Sequence, residues 1–156
     1  MNRDHTRLNG IAVDPYYGGS HRYFLDHVLN LSRHHWSTHT GQARFWKWRM
    51  RSYPLQLVKE QLFSARCASH QGRTPAGMLV TSMLDLPTYR GILSSHLCNP
   101  LISESLRQSI SHLLSIPTAI YFHENQLSYP IAPHAREDSH YGYTNILSAM
   151  VATEIW

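Results

Sequence analysis

Short apolar runs and amphipathic stretches with helical spacing take turns along almost the whole chain, and this alternation is what most restricts its fold. Strands joined through helices pair in parallel, and the helices must then cover the sheet they connect. Leu8 to Asp14 reads as a strand ending in the turn Pro15-Tyr16-Tyr17-Gly18-Gly19, and Ser20 is placed to cap a helix carrying Phe24, Val28 and Leu31. Trp36 to Thr40 reads as a short second strand, and beyond Pro54 the residues Leu55, Val58 and Leu62 repeat at helical spacing. Gly77 to Ser82 holds Met78-Leu79-Val80, a run suited to a strand covered on both faces. Pro87 then fits a helix's first turn, with Tyr89, Ile92 and Leu93 on its inner face. Leu106, Ile110, Leu113 and Leu114 mark a further helix, which Pro117 ends before a strand from Thr118 to Phe122. Tyr143, Ile146, Leu147, Met150 and Val151 define the clearest helical stripe. Glu154-Ile155-Trp156 opens another strand, so a continuation of the fold is expected beyond Trp156.

The expected fold is α/β, a Rossmann-like parallel sheet with helices on both faces, occupying residues 1–156 as one domain. In such a sheet ligands collect at the carboxyl ends of the strands. That rule singles out Tyr16 to His21, Ser82 to Asp85 and His123 to Gln126, all rich in polar groups or glycine.

Charge narrows the partners. Residues 33–73 carry eight basic side chains against Glu60 alone, a local balance of +7 that leaves −3 for the remainder of a chain whose net charge is +4. Within that stretch Arg44-Phe45-Trp46-Lys47-Trp48-Arg49-Met50-Arg51 interleaves cations with large aromatics. Such a segment grips phosphates while stacking on unpaired bases, so Arg44, Trp46, Lys47, Trp48, Arg49 and Arg51 are candidate RNA-binding residues. The competing reading packs Trp46 and Trp48 into the core and leaves their basic neighbours on its rim. No apolar run approaches the ~18 residues that span a bilayer, and Met1 to Gly10 lacks an export segment, so no membrane partner is expected. Cys67 and Cys98 then read as reduced thiols of a cytoplasmic protein.

Two constellations carry chemistry. Gly18-Gly19-Ser20-His21 follows a strand and opens a helix, where backbone amides and the helix's positive end suit an oxyanion, although the spacing matches neither a dinucleotide fingerprint nor a P-loop and a structural turn stands as the alternative. His123-Glu124-Asn125-Gln126 delivers four polar side chains directly after an apolar strand, and burying them without partners is costly. Twelve histidines invite a metal, but no H-E-x-x-H or C-x-x-C spacing is present and none is expected.

Five blocks in this order resemble the tRNA-queuosine α-mannosyltransferase family: Tyr17-Gly18-Gly19-Ser20-His21, Lys47-Trp48-Arg49, Thr81-Ser82-Met83-Leu84-Asp85-Leu86, Tyr121 to Leu127 with Tyr129-Pro130, and Tyr141-Gly142-Tyr143 with Asn145-Ile146-Leu147-Ser148. The resemblance runs from about Ala12 onward. It implies the N-terminal, acceptor-side domain of a GT-B glycosyltransferase, a retaining enzyme that moves mannose from GDP-mannose, or another nucleotide sugar, onto the cyclopentene diol of queuosine in a tRNA anticodon. No cofactor is implied. A C-terminal donor-binding domain is expected in the full-length protein, so this chain alone is expected to be inactive.

The resemblance also assigns roles. His123 contacts the transferred sugar with Glu124 beside it as catalytic residues, and Gly18 and Gly19 lie near the donor phosphates. Glu124, Asn125 and Asp85 orient acceptor hydroxyls, and Ser20, His21, Gln126, Tyr141 and Asn145 complete the substrate-binding set. Residues 99–116 look longer than the family's connection there. The alternative function is a non-catalytic RNA-binding Rossmann-like module that has kept the fold and lost the chemistry.

Overall fold

The structure, a computed structural model, describes residues 7–67, 74–123 and 139–156. In chain order the elements are β1 (Asn9–Tyr17), α1 (Gly19–Leu31), β2 (His35–Gln42), α2 (Trp46–Cys67), β3 (Gly77–Thr81), α3 (Leu86–Leu97), α4 (Glu104–Ser115), β4 (Thr118–Tyr121), α5 (His140–Val151) and β5 (Glu154–Ile155). The strands form one five-stranded sheet in the order β2-β1-β3-β4-β5, and every pair is parallel. This is the Rossmann-like α/β sheet that the alternation of strands and helices requires. No described helix is long and apolar enough to cross a membrane.

Strand order decides which face each helix covers. The step from β1 to β2 runs one way along the sheet and all later steps run the other way, so right-handed crossovers put α1 on one face and the later helices on the opposite one. The packing agrees. Leu25 of α1 lies with Ala12 and Leu79, whereas Tyr53 and Leu57 of α2, Leu86 and Leu93 of α3 and Ile110 of α4 lie with Ile11, Val13, Val80 and Ile120. Alternate residues of one strand thus enter different cores, as period-two geometry demands. Helices α3 and α4 form an antiparallel pair, pinned where Arg107 donates to the Leu97 carbonyl and Arg90 to the Leu114 carbonyl, both at 2.6 Å.

Several local expectations are corrected. Ser20 does not cap α1: Gly18 holds the cap position without a side-chain bond and the helix begins at Gly19, whose φ of +54° glycine reaches without strain. Leu31, expected on the inner stripe, is 85% exposed, while Leu25 takes the buried place. Helix α2 starts at Trp46 and runs through Pro54. A proline there removes the bond to the carbonyl of Met50 and costs ~3 kcal/mol, but Met50, Tyr53, Leu57 and Val58 are all buried around it and hold the helix on both sides. Leu55, expected inside, is half exposed.

In α5 the period is right and the phase is not. Tyr143, Ile146, Met150 and Val151 are exposed, whereas Tyr141, Gly142, Thr144, Asn145 and Ser148 are buried. The polar face wins because Ser148 has partners there: its hydroxyl accepts from the Leu86 amide at 3.3 Å and donates to the Leu84 carbonyl at 3.5 Å.

Two buried phenols provide a test of packing. Tyr89 donates to Gln61 Oε1 at 2.8 Å, while the Tyr53 hydroxyl has no partner. Burial pushes both phenols well above the ordinary tyrosine range, helped at Tyr53 by the negative charges of Glu60 and Asp14. Above the ordinary tyrosine value of ~10 the unfolded chain therefore releases protons that the native chain retains, and stability falls as pH rises. Urea unfolding across alkaline pH is expected to lose that part of the slope in a Tyr53→Phe/Tyr89→Phe variant. At neutral pH Tyr89→Phe is expected to cost ~1–3 kcal/mol by stranding Gln61, and Tyr53→Phe to be neutral or stabilising.

Candidate functional site

The crevice starts from the sheet's alternation. Ile11 and Val13 enter the larger core, so Ala12 and Asp14 face α1; by the same period Thr81 of β3 and Tyr121 of β4 face α1 at the carboxyl ends of their strands. Asp14 is completely buried. Its Oδ1 accepts from the Tyr16 amide at 2.9 Å and from the Thr81 hydroxyl at 3.1 Å, while Oδ2 accepts no hydrogen bond.

Helix α1 brings His21 onto this carboxylate. Gly19 turns the chain, and His21 points back at the sheet with its Nδ1 3.5 Å from Asp14 Oδ2. Its ring is 8% exposed, and Nδ1 has no hydrogen-bond partner. Tyr16 meets the imidazole edge-on, with ring centres 5.9 Å apart. Below it Phe24 stacks on Tyr121 with the planes 8° apart, which fixes α1 against β4. Phe122 packs into the larger core, so the next residue, His123, returns to α1's side, where its ring centre stands 4.7 Å from that of His21. His123 Nδ1 is also buried without a partner. The first of the strand ends singled out in the sequence therefore meets His123, the described residue of the third.

The glycines have steric reasons of their own. A Cβ on Gly18 would stand 2.3 Å from the Cβ of Ala43, whereas one on Gly19 would meet nothing within 4 Å. Gly18 lets the turn approach the end of β2, and Gly19 supplies a left-handed residue beside open space. Ser20 is exposed at the start of α1. Asp85 does a structural job at the second strand end, capping α3 by accepting from the Thr88 amide at 3.0 Å and the Thr88 hydroxyl at 2.8 Å.

A second group forms where α2 and α5 begin. Trp46 and Tyr141 have ring centres 4.7 Å apart, with Lys47 Nζ 5.3 Å and Arg51 Cζ 5.2 Å from the centre of the Tyr141 ring. Tyr141 is buried and Trp46 partly so, but Trp48 is 68% exposed and Phe45, which takes a φ of 52°, is 80% exposed. Arg44 is exposed and Arg49 half-buried. The core-packing reading therefore describes Trp46, which lies against Tyr141, and not Trp48, whose ring stands in solvent. Asn145 is buried on α5 with both amide atoms unpartnered. Glu124, Asn125 and Gln126 lie outside the described residues.

Asp14 and Thr81 are the residues that sequence reasoning missed. The signal for Asp14 was an acid closing an apolar strand directly before the diglycine turn. Among the described residues no three His, Cys, Asp or Glu side chains converge to hold a metal.

A family model described as tRNA-queuosine alpha-mannosyltransferase N-terminal matches residues 10–156. The chain is also similar to the Drosophila melanogaster protein named tRNA-queuosine alpha-mannosyltransferase, with 28% identity over 143 residues that make up 91% of this chain and 31% of that relative. No solved structure matches significantly.

The Gly18–Ala43 contact makes a packing prediction. Gly18→Ala is expected to cost ~1–3 kcal/mol by overpacking the turn, and adding Ala43→Gly should recover most of it. Gly19→Ala is expected to cost ~1–2 kcal/mol from backbone strain, with no recovery from Ala43→Gly. Chemical denaturation of the four variants checks both.

Proposed function

The chain belongs to the tRNA-queuosine alpha-mannosyltransferase N-terminal family, and from that membership we propose that the protein carrying it is a retaining glycosyltransferase of GT-B architecture. It transfers mannose from GDP-mannose to queuosine in tRNA, with this chain as the acceptor-side domain and a second domain holding the donor nucleotide. The observation that carries the reading is the adjacency of His21 and His123, 4.7 Å apart at the carboxyl edge of the sheet, with Asp14 beneath them and buried polar atoms left without partners. A cleft of that kind suits a ligand with several hydroxyls, because each unmatched donor or acceptor finds its complement when the sugar binds.

In this reading the bond from the anomeric carbon to the diphosphate breaks, a bond to an acceptor hydroxyl forms on the same face, and the hydroxyl proton leaves with the departing phosphate. His123 holds the transferred sugar and stabilises the separating charge, an electrostatic role that requires positioning more than proton transfer. Gly18 and Gly19 let the donor phosphates approach the start of α1, where Ser20 is exposed, and Glu124, Asn125 and Gln126 are assigned to binding the acceptor. Asn145 offers an amide on the α5 side. The exposed Trp48 and Phe45, with Arg44, Lys47, Arg49 and Arg51 around them, receive the anticodon stem-loop. These aromatics also favour the second reading, a binding module without chemistry, which the same experiment separates.

The test is incubation of the full-length protein with labelled GDP-mannose, other labelled nucleotide sugars and total tRNA, followed by nucleoside analysis. Label in the queuosine nucleoside from GDP-mannose is expected. Label from a different sugar overturns the donor, and salt-sensitive tRNA binding with no label from any sugar leaves the non-catalytic module. His123→Ala should reduce transfer by on the order of a thousandfold without changing the melting temperature. Trp48→Ala should weaken tRNA binding by ~1–3 kcal/mol, the worth of one stacked base, also without loss of stability, because its ring touches solvent.

A further inference from the structure

Asp14 presents an unusual arrangement for a purely structural acid. It is fully buried, one oxygen is doubly satisfied by Tyr16 and Thr81, and the other faces the orphaned Nδ1 of His21 at 3.5 Å. A carboxylate only accepts hydrogen bonds, so the two orphans match when His21 carries its proton on Nδ1 and the gap closes by a few tenths of an ångström. With the proton on the other nitrogen, the Nδ1 lone pair faces the carboxylate's lone pairs, and two atoms buried from solvent both stay unsatisfied. The ring's second partner therefore follows from its first.

We infer that Asp14 is a positioning residue that holds His21 as the Nδ1–H tautomer, so that His21 Nε2 accepts a hydrogen bond from a hydroxyl of the ligand bound beside His123. This deepens the proposed function and rests on its reading that the crevice binds a hydroxyl-bearing molecule. It also names the chemistry the crevice selects. A buried carboxylate behind an accepting imidazole favours a neutral O–H donor, so the ligand atom that meets His21 Nε2 is a hydroxyl and not a phosphate oxygen. Among the described residues, the other ionisable groups facing the pair are His123 from the end of β4, Tyr16 from β1 and, through its field at Asp14, Tyr53 from α2.

The conservative variant separates this role from a structural one. Asp14→Asn keeps the oxygen that serves Tyr16 and Thr81, yet sets an N–H donor against His21 Nδ1 in place of an acceptor. Nitrogen NMR of the 15N-histidine-labelled full-length protein, with the His21 signal assigned through its absence in His21→Gln, reads the tautomer without any substrate. In spectra recorded at alkaline pH the wild type is expected to carry its proton on Nδ1 and Asp14→Asn on Nε2. Thr81→Val is the companion variant: it removes one bond to Oδ1, should lower stability, and should leave the His21 tautomer as in the wild type. Turnover is expected to fall on the order of a hundredfold in Asp14→Asn, with the double variant Asp14→Asn/His21→Gln no slower than His21→Gln alone. A wild-type proton on Nε2, an unchanged tautomer in Asp14→Asn, or losses that multiply in the double variant would overturn the inference. Because the tautomer is measured without ligand, it stands or falls separately from the sugar-transfer reading.

Discussion

The fold depends on β1 being paired in parallel along both edges. A strand in that position spends its backbone groups on two neighbours and its side chains on two cores, which is why Ala12 and Val13 have no exposed surface at all. It also fixes where the chain opens. The first connection leaves β1 toward β2 and the second crosses back over it toward β3, so the helices on either side of the strand's carboxyl end lie on opposite faces. The carboxyl end of β1 is therefore the topological switch point, the place at which open parallel sheets bind their ligands. Asp14 stands there.

Placing a carboxylate there works against stability. Burying a charge without compensation is costly, and only one of its oxygens is compensated by the Tyr16 amide and the Thr81 hydroxyl. An asparagine could meet both of those bonds without bringing a charge, so the fold alone does not explain the acid. Phe45 shows the same pattern on a smaller scale, with a left-handed backbone that costs ~1–3 kcal/mol and serves to hold an aromatic ring in water. Locally unfavourable choices that gather at one edge of a sheet are the mark of a surface shaped for a ligand.

Much of this was legible because hydrophobic period reports on burial. Met78 to Val80 and Thr118 to Phe122 could be read as strands, and the place of His123 followed from counting on from Phe122. Single-letter signals were outweighed wherever tertiary packing opposed them: Ser20 has capping chemistry, but Gly19 turned the chain a residue too early, and Pro54 has breaking chemistry, but four buried neighbours held the helix together. The face of α5 was misread because its apolar stripe was weighed without knowing that Ser148 would find the Leu84 carbonyl and Leu86 amide. Asp14 was passed over for a related reason. Its letter is that of a surface residue, and only the register that sets β1 beside Thr81 shows it to be inside.

The basic segment adds an electrostatic constraint of its own. The start of a helix carries partial positive charge, so acids there stabilise and bases destabilise by a few tenths of a kcal/mol each. Helix α2 begins with Trp46-Lys47-Trp48-Arg49, has no acid in its first turn and follows directly on Arg44. The chain thus stacks side-chain cations on the helix's own positive end, and Lys47 and Arg51 both stand over the Tyr141 ring. Tyr141 is buried against Trp46, so the ring that steadies the cations is itself fixed to α5. Such a rim sets cations and aromatic rings at the carboxyl end of β2, the same edge of the sheet at which the acceptor-rich crevice opens. Under the proposed function the two features divide the work, the cations meeting the phosphates of an RNA loop and the crevice meeting the hydroxyls of the modified nucleoside it presents.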